Sequence, residues 1–204
     1  MAHSMGTLKR RLNTVLLDAR RTRSFWHQLV TDAFPVVNEV VNTVIQAKYV
    51  DNPAYWHPAL TLSFPNIKQA YYKKTQALIQ ERHASLESFI ERMNKQIQKM
   101  QQQASEIHAI CQRAEQLSDA SFVQNTPLFA TCPMVLFDTR LRAIVTMYEK
   151  TMQTLEAMTE KGFKHIKERD EGLALLSIWL HLPDLDDATI EEFNDLCQVE
   201  LPER

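Results

Sequence analysis

The residues best suited to chemistry in this 204-residue sequence are seven histidines, three cysteines and a few neighbouring carboxylates. Metal centres need His, Cys, Asp or Glu ligands that are clustered at short, fixed spacings. No HExxH or CxxC sequence occurs, so we expect no metal site. The histidines instead stand singly along the chain, at His3, His27, His57, His83, His108, His165 and His181.

The cysteines could supply a nucleophile or a disulfide, but their pattern favours neither. Cys111, Cys132 and Cys197 form an odd, scattered set, which is typical of free thiols in a reducing, intracellular compartment. Cys111 and Cys197 fall on apolar helix faces, so we interpret both as small core residues. A catalytic triad assembled from distant residues would leave no local signature, and no spacing here points to one.

Paired carboxylates and glycine loops are the other features that could support catalysis. Glu168 with Glu171, and Asp186 with Asp187, could act as acid–base pairs, but such pairs on an acidic helical surface are usually solvated. Only three glycines occur, which leaves little room for a phosphate-binding loop. We therefore expect a protein that is not an enzyme and that binds no cofactor.

The net charge of -2 conceals an uneven distribution of charge. Either both ends of the chain are simply solvated, or the basic N-terminal helix faces an acidic partner or nucleic acid. The near balance overall argues against a dedicated nucleic-acid binder, and no apolar run is long enough to predict a membrane span. The charged ends comprise Lys9, Arg10, Arg11, Arg20, Arg21 and Arg23, and Asp184, Asp186, Asp187, Glu191, Glu192, Asp195, Glu200 and Glu203.

Helical periodicity defines the elements that must position these residues. Apolar residues recur at helical spacing over residues 8–48, which predicts a first helix with a break or kink near Pro35. Residues 49–65 form a connector that three prolines punctuate. Its many large apolar side chains predict a strap that packs against the helices.

Two further long helices are predicted over residues 66–117 and 133–161, followed by short C-terminal helices over 173–198. Each long helix carries an apolar seam at heptad spacing, with His83 as a polar residue that sets the register of the first seam. The sequence predicts an all-α fold, an elongated antiparallel bundle that forms one domain over 1–204. The seam residues are Leu86, Ile90, Met93, Ile97, Met100, Ala104, Ile107, Cys111 and Ala114, and Phe137, Leu141, Ile144, Tyr148, Thr151, Leu155 and Met158.

Aromatic and proline-containing segments are the candidates for a protein interface, because Trp, Tyr and Arg are favoured as interface anchors. An aromatic residue at helical spacing is also a common core residue, so both interpretations stay open at this point. The candidate interface residues are Trp26, Pro127, Leu128, Phe129, Ile178, Trp179, His181 and Pro183.

These segments resemble the cyclin-dependent-kinase-interacting protein (CINP) family, densely after residue 120 and thinly before it. Residues 59–65 and the lysine-rich stretch that follows are similar instead to AIRIM, a helical companion of that family and a ribosome maturation factor. The motifs that carry the resemblance are Pro127-Leu128-Phe129-x-Thr131-x-Pro133, Phe137, Met147-Tyr148-x-Lys150 and Leu176-Ser177-Ile178-Trp179-Leu180-His181-x-Pro183, with Trp26-His27-x-Leu29 near the N-terminus.

The resemblance implies a non-catalytic adaptor in the nucleus or cytoplasm. Such a subunit pairs with a second helical subunit and docks on a heteromeric AAA+ ATPase that acts in maturation of the large ribosomal subunit and in replication-linked proteostasis. A cyclin-dependent kinase is a further implied partner, and direct nucleic-acid binding is not expected. The alternatives are a self-assembling coiled-coil scaffold and a helical nucleic-acid binder that uses the basic first helix.

Overall fold

The computed structural model describes residues 2–201, with side chains from Met5 onward, so the side chains of His3 and Glu203 lie outside the described part. Within residues 2–201 the chain forms helices and no strand, apart from an isolated bridge between Pro127 and Pro133. The predicted all-α class is confirmed. The α-helices are α1 (Ala2–Ala47), α2 (Pro58–Ser63), α3 (Ile67–Leu117), α4 (Ala120–Asn125), α5 (Met134–Ala157), α6 (Arg169–His181) and α7 (Asp187–Glu200).

Two short helices occur where the sequence predicted only irregular chain. Helix α2 lies inside the connector, and its N-cap is His57, whose Nδ1 accepts a hydrogen bond from Ala59 N at 3.2 Å. Helix α4 is capped by Asp119, whose carboxylate accepts from Phe122 N at 2.7 Å. Each has six residues, fewer than two turns, so neither could show a helical period in the sequence.

Helix α1 continues through Pro35 without a break, and the expected kink there stays a prediction. A proline inside a helix removes one backbone hydrogen bond and costs about 3 kcal/mol. Ala33 and Val37, on either side of Pro35, are completely buried, whereas Pro35 itself is exposed. Burial of these flanking residues offsets the cost of the proline and keeps the helix continuous.

Helix α5 ends in a π turn over Met158–Gly162, followed by a 3-10 turn over Phe163–His165. Thr159, in the π turn, offers its carbonyl oxygen to His83 Nε2 at 2.7 Å. His83 is buried, and its Nδ1 lies 3.1 Å from the Glu87 carboxylate on the next turn of α3. The seam histidine therefore has a polar partner on both ring nitrogens, as a residue that sets helix register requires.

The chain divides into two compact units. Unit 1 comprises residues up to His27, Asn94–Thr151 and residues from Asp184 on. Unit 2 comprises Gln28–Met93 and Met152–Pro183. Helices α1, α3 and α5 each contribute to both units, so the prediction of one undivided domain stays a prediction.

Unit 1 has its core between α1, α3, α5 and α7. Helices α3 and α5 are antiparallel there, because Gln101 bonds Glu149 while the later His108 bonds the earlier Asp138. The seam residues of this unit are buried as predicted. Its completely or almost completely buried side chains include Leu12, Trp26, Met100, Ile107, Phe137, Leu141, Ile144, Tyr148 and Phe193.

In unit 2, helix α6 packs very closely against α1. An ideal Cβ on Gly172 would lie 2.8 Å from Val41 Cγ1 and 2.9 Å from Ile45 Cδ1, so only glycine fits without a shift. The core of unit 2 otherwise consists of large side chains from α1, α3, the end of α5 and α6. They include Leu29, Val37, Leu86, Met93, Leu155, Phe163, Ile166 and Trp179.

Gly172→Ala should destabilise the protein, because the new methyl group must displace the Val41 side chain at an overpacking cost of about 1–3 kcal/mol. Gly162→Ala is the matched control, since its Cβ would meet nothing nearer than 3.6 Å and its helical φ of -55° suits alanine. We expect that control to be neutral or more stable by about 0.4–1 kcal/mol. Urea unfolding of both variants measures the difference, and equal stabilities would contradict the close packing of α6 on α1.

Candidate protein-interaction site

Trp26 is a core residue of unit 1 and offers no surface to a partner. Its side chain is completely buried and lies edge-to-face against the Tyr148 ring, with centroids 5.1 Å apart. His27 Nε2 lies 2.7 Å from the Tyr148 hydroxyl. Burial raises the pKa of Tyr148 to about 12 and lowers the pKa of His27 below its ordinary value. The neutral forms of both side chains therefore dominate at neutral pH.

The segment with Pro127, Leu128 and Phe129 lies only partly on the surface of unit 1. Pro127 is exposed, Leu128 is buried and Phe129 is half-buried. The Phe129 ring stands edge-on to Phe137 with centroids 5.9 Å apart, and Lys9 Nζ lies 5.1 Å from its centre. The segment is therefore anchored by two of its three residues, and Pro127 alone is fully available to a partner.

Glu200, the last residue of α7, fixes the chain that follows this segment. Its buried carboxylate accepts hydrogen bonds from Ala130 N at 2.9 Å and Thr131 N at 3.0 Å, and from the Thr131 hydroxyl. Burial alone would raise the pKa of Glu200, but the bonds from Thr131 and Ala130 outweigh it and lower the pKa to about 2. No signal in the sequence marked this acid among its many exposed neighbours.

The tail motif is divided between the core and the surface of unit 2. Trp179 is completely buried; its indole nitrogen donates to Val30 O at 3.2 Å, and its ring lies beside Phe163. Ile178 is half-buried, whereas His181 and Pro183 are exposed. Trp179, like Trp26, therefore stabilises the fold, and the exposed residues of the motif are Ser177, Leu180, His181 and Pro183.

Cys111 of unit 1, which the sequence predicted as a core residue, lies near a cluster of charged side chains. His108 Nδ1 lies 2.9 Å from the buried carboxylate of Asp138, which also accepts from Arg142 Nε at 2.8 Å. Burial acts to raise the pKa of Asp138, but the bonds from Arg142 and His108 outweigh it and lower that pKa. Burial, aided by the Asp138 charge, raises the pKa of Cys111 to about 12.

These groups form an ion-pair network between α3 and α5, and the neighbouring thiol stays protonated at neutral pH. A nucleophilic cysteine needs the opposite, a lowered thiol pKa. Cys197 behaves in the same way, because burial raises its pKa to about 11. Among the described side chains, no group of three or more His, Cys, Asp or Glu residues could hold a metal ion.

The connector carries the largest apolar exposure in unit 2, and the sequence predicted the opposite. Val50 and Trp56 are buried, and Trp56 Nε1 donates to Val50 O at 2.7 Å. Leu62 and Phe64, however, are 82% and 60% exposed. The packed strap is therefore correct only for its first half, because the chain turns outward at α2. The sequence of the connector did not indicate which of its apolar side chains stay exposed.

No protein-family model matches the chain. The chain is similar to the cyclin-dependent kinase 2-interacting protein of Bos taurus, with 25% identity over 197 residues that cover 91% of this chain and 90% of that protein. The resemblance to the CINP family is confirmed. It extends over nearly the whole length of the CINP protein and so includes the first half, where few motifs were apparent. The resemblance of residues 59–65 to AIRIM stays a prediction.

No helix within residues 2–201 combines the length and the apolar character that crossing a bilayer requires.

Glu200→Gln should lower the free energy of unfolding by about 1–3 kcal/mol at neutral pH, because the amide nitrogen cannot accept from Ala130 N or Thr131 N. The folded pKa of about 2 lies below the ordinary 4.5, so the contribution of the carboxylate is complete above pH 4.5. It is lost as the pH falls from there towards 2. The stability difference from the parent protein should shrink over this range in acid-titrated denaturant unfolding.

Glu191→Gln is the matched control, since Glu191 is an exposed acid on the same helix. Its effect should stay within about 0.5 kcal/mol at every pH. A stability loss that is equal for the two variants would show that Glu200 acts through general charge and not through its hydrogen bonds.

Proposed function

We propose that this chain is a non-catalytic adaptor that works by binding other proteins. The observation that carries the proposal is the similarity over 91% of the chain to a protein whose name states that it interacts with a cyclin-dependent kinase. A likeness over about nine-tenths of both chains favours a shared mode of action over a shared local motif. A cyclin-dependent kinase is therefore the first proposed partner.

The finer proposal is an accessory subunit of a heteromeric AAA+ ATPase that acts in maturation of the large ribosomal subunit and in replication-linked proteostasis. It would pair there with a second helical subunit of the AIRIM type. This step rests on the resemblance in residues 59–65 and in the tail motif. It is supported by large apolar side chains that remain uncovered in the first of these regions, Leu62 and Phe64.

The proposal of a non-catalytic role is supported by the use that the fold makes of its reactive groups. His83 holds α3 to the π turn, and His108 holds α3 to α5 through Asp138. The thiols with raised pKa values, at Cys111 and Cys197, are poor nucleophiles at neutral pH. These side chains all serve packing within their own unit.

Affinity purification of the tagged chain from its source cell, followed by mass spectrometry, tests the proposal. We expect a AAA+ ATPase and a helical companion subunit to co-purify, together with a cyclin-dependent kinase. Recovery of the kinase without the ATPase would reject the ribosome-maturation role but keep the adaptor role. If none of these proteins exceeds its level in a tag-only control, the proposed function is wrong.

The alternative of a self-assembling coiled-coil scaffold predicts a different mass in solution. The α3 and α5 seam residues are nearly all buried within the chain's own units, so no long seam is left for a second copy. Light scattering on the purified protein should therefore give the mass of one chain, unchanged over a hundredfold dilution. A stable dimer or larger oligomer would favour the scaffold.

A further inference from the structure

Large apolar side chains are exposed along the connector and the first turns of α3. We call this surface of unit 2 the aromatic corner. Leu62 and Phe64 are its most exposed members. Single exposed apolar residues are common, but a group of them marks a binding surface. The aromatic corner consists of Tyr49, Tyr55, Leu60, Leu62, Phe64 and Tyr72.

Ring contacts and caps hold the aromatic corner in shape. The Tyr55 ring stacks on Tyr49 with centroids 6.0 Å apart, and its hydroxyl lies 3.3 Å from that of Tyr71 on α3. The buried Trp56 stands edge-on to both Tyr55 and Tyr71, with centroids 5.5 Å away. The part of the surface around Tyr55 is therefore formed before any partner arrives, which lowers the entropy cost of binding.

A groove runs through the aromatic corner at the turn from α2 into α3. Phe64, Pro65, Ile67 and Ala70 provide its apolar lining, and the space between them is about 380 Å³. Ser63 and Asn66 complete the lining, and the groove is shallow and open to solvent. A shallow apolar groove can receive an apolar side chain that protrudes from a partner.

The stretch of chain that contains the groove has a strongly one-sided charge. Residues 48–80 contain four lysines, at positions 48, 68, 73 and 74, and a single acid, Asp51, which gives this stretch a charge of +3. The chain as a whole has a charge of -2, so the rest of it carries -5. An apolar groove next to the lysines of α3 is complementary to an acidic segment with apolar anchors.

We propose that the aromatic corner binds an acidic amphipathic helix of a partner protein. The apolar side chains of that helix would enter the groove and cover Leu62 and Phe64, and its acids would face Lys68, Lys73 and Lys74. This is the helix-in-groove mode of recognition, with anchors spaced three and four residues apart. The assignment of this helix to a partner protein rests on the proposed function. Its acidic and amphipathic character is inferred from the groove and the lysines.

A second copy of this chain fits the groove less well. Its acidic helix α7 has the required charge, but Ile190 and Phe193 are buried within unit 1. Val199 alone remains as a large exposed apolar residue on that helix. The apolar face that would have to enter the groove is thus already used.

A displayed library of amphipathic helices of about five turns, or 18 residues, tests the proposal on the full chain. In each helix the positions of the polar face are Glu, Lys or Gln, and the positions of the apolar face are Leu, Ile or Phe. We expect selection to enrich Glu-rich helices, with affinity that falls as salt is added. The double variant Leu62→Ser with Phe64→Ser should weaken the selected helices at least about tenfold, since it removes both anchoring contacts.

Leu173→Ser with Leu180→Ser is the matched control, because these exposed leucines lie on α6 of the same unit. It should leave the affinity unchanged. The triple variant Lys68→Glu, Lys73→Glu and Lys74→Glu should reverse the preference from Glu-rich to Lys-rich helices. All the variants change exposed or half-buried positions, and unchanged melting temperatures confirm that each variant folds.

Four outcomes of the binding experiments would overturn the proposal. They are failure to enrich any helix, enrichment without a preference for Glu, equal binding by the Leu62/Phe64 double variant, and binding to phosphatidylserine vesicles without binding to helices. Self-association that the double variant abolishes would assign the surface to a second copy. Recovery of the ATPase or kinase from cells by both the parent chain and the double variant would reject this docking site while the adaptor function stands.

Discussion

Burial of the apolar seams on α3 and α5 is the interaction on which the rest of the structure depends. These helices carry an apolar residue at every third or fourth position, and nearly all of those positions are buried. Each square ångström removed from water contributes about 25 cal/mol, whereas a helix in isolation is marginal. The same seam provides the surface against which α1 packs, and within each unit it fixes where the shorter helices can lie.

The seam also explains which parts of the molecule could be predicted from the sequence. Heptad spacing identifies both the helix and its buried face, so residues such as Met100, Ile107 and Leu141 were placed correctly in the core. His83 was placed on the seam for the same reason, and its two polar partners fit the role expected of it. Periodicity is reliable here because the seam residues are buried against other helices of the same unit.

Features that depend on distant parts of the chain could not be predicted in this way. Pro35 stays helical because of the burial of its neighbours, and a local proline rule cannot take that burial into account. Glu200 differs from the other C-terminal acids only in the backbone donors that lie opposite it, about 70 residues away in sequence. The N-cap of α7 is by contrast local, because the Asp186 carboxylate accepts from Ala188 N and Thr189 N.

The candidate interface residues also show that the type of a side chain does not determine whether it is buried. Trp26 and Trp179 have side chains that interfaces favour, yet both are buried in cores. Leu62 and Phe64 belong to the connector that was predicted to pack against the helices, yet both are exposed to solvent. Composition indicates which residues are apolar, but only the fold decides which of them remain uncovered. The exposed side chains of the connector, and not the buried tryptophans, therefore form the surface that we propose for binding a partner.

The burial of all three tryptophans has a practical consequence for studying how the molecule unfolds. Trp26 belongs to unit 1, and Trp56 and Trp179 belong to unit 2. Indole emission moves to longer wavelength when water reaches the ring, so a protein that retains Trp26 alone reports on the opening of one unit. A protein that retains Trp179 alone reports on the other. Comparing the two fluorescence transitions would show whether the long shared helices melt in a single step or in two.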